Sequence, residues 1–209
     1  MTTSAPMTVQ PRRGPLFVLS GPSGSGKTTV VDRLQKVCTY PLYRVVTATT
    51  RLPRPGERDG IHYHFWDESK FATEKAAGRM MEVAEVFGQN HYGTPRSEVE
   101  PKRDSGYGVM LVIDVQGAVQ VRNQYGEDCI TIFLDVPSLA ILEQRLRDRK
   151  TETEERIQAR LTTAKLERRE AAKYRHRVVN DDLERTVLDL NALLTAEFQR
   201  RGLAPCSTN

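Results

Sequence analysis

No apolar run in this 209-residue chain is long enough to cross a membrane. Residues 1–14 hold no apolar stretch and do not read as a secretory signal. The Thr, Ser, Pro and Gln content of residues 1–13 predicts a disordered tail. Cysteine is scarce. Cys38, Cys129 and Cys206 have neither redox nor metal-ligand spacing, which argues against a disulfide framework and points to incidental thiols in a cytoplasmic protein. His62 and His64 have strand spacing but no third ligand nearby, which argues against zinc. The net charge of +4 comes from one segment. Residues 141–177 carry twelve Lys and Arg against seven Asp and Glu, an excess of +5 that leaves −1 for the rest. That segment lacks the interleaved aromatics on which bases stack, so nucleic acid is not an expected partner. Neither a membrane nor a protein partner is indicated.

What is present is a phosphate loop. Gly21-Pro22-Ser23-Gly24-Ser25-Gly26-Lys27-Thr28, followed by Thr29, fits G-x-x-x-x-G-K-[ST]. Three glycines let the backbone close around an anion, and the following helix adds the positive end of its dipole. Lys27 is expected to reach the β- and γ-phosphates, and the Thr28 hydroxyl to ligate Mg²⁺. The context agrees. Leu16-Phe17-Val18-Leu19-Ser20 reads as a buried parallel strand, and Val30, Val31, Leu34 and Val37 recur at helical spacing.

Strand and helix signals then alternate, which predicts an α/β fold with a parallel sheet covered on both faces. Tyr43-Arg44-Val45-Val46-Thr47 is the second predicted strand. Val109-Met110-Leu111-Val112-Ile113 is the third, ending at Asp114. Cys129-Ile130-Thr131-Ile132-Phe133-Leu134 and Arg177-Val178-Val179-Asn180 follow, and Leu183, Val187, Leu190 and Leu194 mark a closing helix. The stretch from Thr47 to about Ser97 is too long for an ordinary loop and reads as an inserted subdomain. After Leu134, Leu139, Leu142 and Leu146 give one helix, and Thr151-Glu152-Thr153-Glu154 offers a capping box for the next. This arginine-rich pair of helices reads as a lid.

The insert carries acceptor chemistry. Arg51 and Arg54 flank Pro53 on a stiff backbone and can clamp one phosphate. Tyr63 and Tyr92 can donate hydroxyl hydrogen bonds to it. Glu82 lies in the apolar stretch Met80-Met81-Glu82-Val83-Ala84, where a buried carboxylate needs a partner.

At this point the chain resembles the guanylate kinases. The resemblance rests on the phosphate loop and on Thr49-Thr50-Arg51-Leu52-Pro53-Arg54-Pro55-Gly56-Glu57. It continues through Gly60-Ile61-His62-Tyr63, Glu82-Val83-Ala84-Glu85-Val86-Phe87-Gly88 and Tyr92-Gly93-Thr94. Ile113-Asp114-Val115-Gln116-Gly117-Ala118 and Val179-Asn180-Asp181-Asp182 complete it. It spans residues 16 to 200. The resemblance implies a P-loop three-layer fold with a core at 14–46, 98–138 and 170–209. It implies a GMP-binding subdomain at 47–97 and a lid at 139–169.

The implied reaction moves the γ-phosphoryl group of ATP to GMP with Mg²⁺, and dGMP is a further implied acceptor. Gly21 to Thr29 and Asn180 match ATP-binding positions. Arg51, Arg54, Tyr63 and Tyr92 match those holding the GMP phosphate. Glu82 matches the carboxylate that reads guanine, with Thr47 and Thr94 beside the base. Asp114 matches an acid near nucleotide and metal, acting on Mg²⁺ through water beside Thr28. Its place after a buried strand favours a metal-linked role over an ordinary strand-end cap. Lys27, Arg51, Arg145, Arg149 and Arg160 match the residues around the transferred phosphoryl. One departure stands out: Val112 occupies a position that is acidic in many relatives. The alternatives are a kinase for a phosphorylated ribose, which has no use for Glu82, and a guanylate-kinase-like binding module, in which the loop is expected to be degraded.

Overall fold

A computed structural model describes residues 12–86, 90–148 and 153–206. The predicted tail lies outside the described residues except for Arg12 and Arg13, which bond Arg201 and Glu100. The chain runs β1 (Leu16–Ser20), α1 (Lys27–Val37), β2 (Leu42–Arg44), β3 (Ala48–Thr49), β4 (His64–Phe65), α2 (Glu68–Ala76), β5 (Met80–Val86) and β6 (Asn90–Pro95). Then come α3 (Glu100–Asp104), β7 (Gly108–Val112), α4 (Val115–Tyr125), β8 (Cys129–Asp135), α5 (Leu139–Asp148), α6 (Glu154–Arg169), β9 (His176–Val179) and α7 (Leu183–Arg200).

β1 is apolar without alternation because both its faces are covered. It is the middle strand of a parallel five-stranded sheet ordered β2-β7-β1-β8-β9. Alternate residues feed two cores. Leu16, Val18, Val109 and Leu111 pack with Val115, Ala118 and Val121 of α4. Phe17, Leu19, Met110 and Ile132 pack on the other face with Val30, Val31 and Leu34 of α1 and Val187, Leu190 and Leu194 of α7. Among the described residues, no helix is long and apolar enough to cross a membrane.

The second predicted strand is shorter than expected. β2 ends at Arg44, and Val45 still donates to Met110 O at 3.0 Å. Thr47 already belongs elsewhere, since its carbonyl accepts from His64 N at 2.9 Å. The chain crosses here from one sheet to another, and the apolar run conceals the crossing.

Between β2 and β7 the chain builds a second sheet, ordered β4-β3-β6-β5. Ala48, Phe71 and Met80 form its small core with Trp66 and Val83. β5 is the edge strand, and its outward backbone groups need partners. Side chains of α4 supply them. Gln120 Nε2 donates to Val83 O at 2.7 Å, Gln120 Oε1 accepts from Val83 N at 3.1 Å, and Gln124 Nε2 donates to Met81 O at 2.9 Å. These bonds fasten the second sheet to the first on both sides of Glu82.

α5 and α6 join through Leu142, Leu146, Ile157 and Leu161. The expected capping box, Thr151-Glu152-Thr153-Glu154, falls partly outside the described residues, at Thr151 and Glu152. The N-cap is Thr153 without a side-chain cap bond, and Glu154 pairs with Arg147 at 2.5 Å.

Candidate active site

The phosphate loop leaves the end of β1 and enters α1. Gly21 has φ 141°, and a Cβ there would lie 2.2 Å from Leu134 O, so only glycine fits. Gly26, the N-cap of α1, has φ 93°, and no side chain caps the helix. No acid stands in its first turn. The N–H groups at this end are therefore left for an anion. Thr28 and Thr29 are exposed on that turn.

Lys27 folds back along the loop, donating to Gly21 O at 2.5 Å and Pro22 O at 3.0 Å. Asn180 braces the same loop, since Nδ2 donates to Ser25 O at 2.7 Å and Thr186 Oγ1 donates to Oδ1 at 3.3 Å. The two helices of the arginine-rich pair also reach it. Arg145 Nη2 donates to Asn180 O at 2.9 Å, and Arg160 Nη1 to Ser23 Oγ. Arg149 lies outside the described residues.

The acceptor side is built on the second sheet. Glu82 points inward from β5 and is 3 % exposed. Its Oε1 accepts from Thr94 Oγ1 at 2.7 Å, and Oε2 faces Gly117, where a Cβ would approach to 2.4 Å. Burial pushes the carboxyl up to about 7; the Thr94 bond pulls it down and the Asp114 charge pushes it up. Thr47, also buried, leads into β3.

Arg51 pairs in two places with Glu57, Nη1 to Oε2 at 2.9 Å and Nη2 to Oε1 at 3.0 Å. Its Nε donates to Tyr92 OH at 3.2 Å, and its plane lies 5.4 Å from the Tyr63 ring centre. The Tyr63 and Tyr92 rings meet edge to face at 5.9 Å. Arg51, Tyr63 and Tyr92 are thus together, as expected. Arg54 is different: its backbone N–H donates to Glu57 Oε2 at 2.7 Å while the residue is exposed.

Asp114 stands between the two halves. Burial raises its pKa, amides of Gly117 and Gln116 and the Lys27 charge lower it, and its own charge bears on Glu82. It is the N-cap of α4, accepting from Gly117 N at 2.8 Å. Whatever its part near the metal, Asp114 thus caps a helix, a role the sequence reading did not assign to it.

Two further carboxylates had no role in that reading. Glu57 shows only in its spacing, three residues after Arg54 across Pro55 and Gly56. Glu167 of α6 has no local signal. Burial pushes it up to about 7, with the Lys27 charge lowering it and Asp114 raising it. His62 Nδ1 accepts from Arg58 N, and His64 Nε2 faces Glu98 Oε1.

No group of three or more His, Cys, Asp or Glu poised for a metal exists among the described residues. The exposed Thr28 hydroxyl and the Asp114 carboxyl are oxygen donors of the kind a hard divalent cation takes together with waters.

The guanylate kinase family model matches residues 13–197. Guanylate kinase of Alkalilimnicola ehrlichii is 44 % identical over 187 residues, covering 90 % of this chain and 91 % of that one. That of Rhodospirillum rubrum is 42 % identical over 200 residues, covering 96 % and 90 %. The solved structure of guanylate kinase from Anaplasma phagocytophilum superposes with a TM-score of 0.74 at 34 % identity, over 90 % of this chain and 87 % of that one. A match that runs nearly end to end, over a phosphate loop and a second sheet that buries a carboxylate, makes this chain a member of the guanylate kinase family.

Proposed function

We propose that this site transfers the γ-phosphoryl group of ATP to GMP, giving ADP and GDP in cytoplasmic purine nucleotide metabolism. The observation that carries it is the carboxylate of Glu82, buried on the second sheet and hydrogen-bonded by the Thr94 hydroxyl. Guanine offers N1–H and an amino group together, whereas adenine presents no such pair. Residues 47–97 form the GMP-binding part and 139–169 the lid, closing on the core at 14–46, 98–138 and 170–209.

The acceptor oxygen is already anionic, so no general base is needed. The work is positioning and charge neutralisation. Lys27 and the α1 N-terminus hold the donor phosphates. Arg145, Arg149 and Arg160 surround the phosphoryl in transit, and Asn180 holds the loop beside the adenine. Arg51, Arg54, Tyr63 and Tyr92 seat the acceptor phosphate, while Thr47, Glu82 and Thr94 take the base. Mg²⁺, held by Thr28 and through water by Asp114, would supply charge neutralisation between the phosphates. The same reading takes dGMP as a further acceptor.

The test is ADP release from ATP with GMP or AMP as acceptor. Release that depends on GMP and hardly on AMP is expected. Equal rates with both would overturn the reading.

A further inference from the structure

We propose that Glu57 is a positioning residue of the acceptor-phosphate seat, turning the Arg51 guanidinium so that one edge, shared with the Tyr92 hydroxyl, meets the phosphate. The inference rests on the reading of Arg51 and Tyr92 as phosphate ligands.

A guanidinium has five N–H donors. In Arg51, Nη1 donates to Leu52 O at 2.7 Å and Glu57 Oε2 at 2.9 Å. Nη2 donates to Glu57 Oε1 at 3.0 Å, and Nε to Tyr92 OH at 3.2 Å. Among the described residues, four donors are engaged and one Nη2–H remains. That proton lies on the same edge of the planar group as Nε–H. Because the Tyr92 oxygen accepts from Nε, its own proton is left to donate. The seat therefore offers one N–H and one O–H side by side, not the full fork of a free arginine.

Glu57 resembles a phosphate in what it accepts, so it could instead be a stand-in that substrate displaces. The local geometry favours positioning. Glu57 Oε2 also accepts from Arg54 N at 2.7 Å, and Glu57 N donates to Arg54 O at 2.9 Å. Displacing the carboxylate would undo the turn carrying Arg54. The pair is well shielded, with side chains 14 % and 19 % exposed. The Arg51 bonds hold the Glu57 carboxyl below its usual range, keeping it ionised. Since Glu57 already balances the charge of Arg51, the exposed Arg54 brings the net positive charge to the phosphate.

The test is Glu57→Gln, whose amide opposes N–H to N–H at Arg51. The KM for GMP should rise by ~10-fold or more, the range for a hydrogen bond to a charged group. The KM for ATP should hold. Inhibition by guanosine, which lacks the phosphate, should be unchanged. Glu57→Asp, keeping the charge, should recover part of the loss. In an Arg51→Ala background, Glu57→Gln should add nothing. An unchanged GMP KM, a lower one (the stand-in outcome), or a matching loss of guanosine affinity overturns the inference. A wild-type GMP KM in Arg51→Ala alone overturns the phosphate-seat reading itself.

Discussion

Thr94 Oγ1 donates to Glu82 Oε1 at 2.7 Å, and the two residues are direct cross-strand partners in β5 and β6. The hydroxyl and backbone N–H of Thr94 stand in only partly for the water that would fully solvate this carboxylate outside the protein. The carboxyl is accordingly pushed up to about 7, chiefly by burial. On the proposed reading, a base that brings two adjacent N–H groups completes the partners of this carboxylate, and a base without them is disfavoured.

Glu82→Gln should trade function for stability. Selectivity for GMP should fall by ~10²–10⁴-fold, because the amide repels one guanine donor. A carboxyl raised from 4.5 to about 7 in the folded state stabilises the fold below pH 4.5. That contribution disappears as pH rises through 7, a change of ~3 kcal/mol. The glutamine variant has no such loss. Urea unfolding without ligand should find it more stable than wild type at pH 8, with the advantage shrinking at pH 5. Equal pH dependence in both proteins would contradict this account.

If Glu82 reads guanine as proposed, it must be ionised, so kcat/KM for GMP should rise with pH through an inflection near 7. Glu82→Gln should remove that inflection. Thr94→Val removes the bond that lowers the pKa, so its inflection should move to higher pH and its GMP KM should rise by ~10-fold. Rate profiles from pH 5.5 to 9 for the wild type and both variants decide the matter.

Lys27→Ala should reduce turnover by ~10³-fold, as expected for loss of one preorganised charge at a phosphoryl site. Circular dichroism should be unchanged, because α1 buries Val30, Val31 and Leu34 and not Lys27. Retained turnover would remove Lys27 from the chemistry.

Gln120→Leu tests the fastening of the acceptor sheet. It leaves both Val83 N and Val83 O without the side-chain partners that hold them at 3.1 and 2.7 Å. Stability should fall by ~1–3 kcal/mol, and the GMP KM should rise with the ATP KM unchanged. A variant with wild-type GMP KM would mean that Glu82 is held in place without α4.

Much of this was legible in the chain. The uninterrupted Leu16-Phe17-Val18-Leu19-Ser20 announced a covered strand, and the glycines before Lys27 announced the loop. The break between β2 and β3 was hidden, because Tyr43 to Thr47 reads equally well in either sheet. Gln120 and Gln124 look like solvated helix residues until β5 exposes its edge to them. Glu57 carries no signal of its own beyond its place in the Pro53-Arg54-Pro55-Gly56 turn.

The sequence by itself determined the local chemistry: a glycine loop shaped for phosphate, arginines beside a stiff proline turn, and a carboxylate in an apolar run. Such features depend on residues adjacent along the chain. Only the tertiary structure decided how each group behaves. The pKa of Glu82 depends on Thr94, Gly117 and Asp114, which meet only when the second sheet docks on α4. The free edge of Arg51 depends on Glu57 and Tyr92 arriving from two different loops and strands. Burial and hydrogen bonding act over a few ångströms of space, and sequence distance does not measure them.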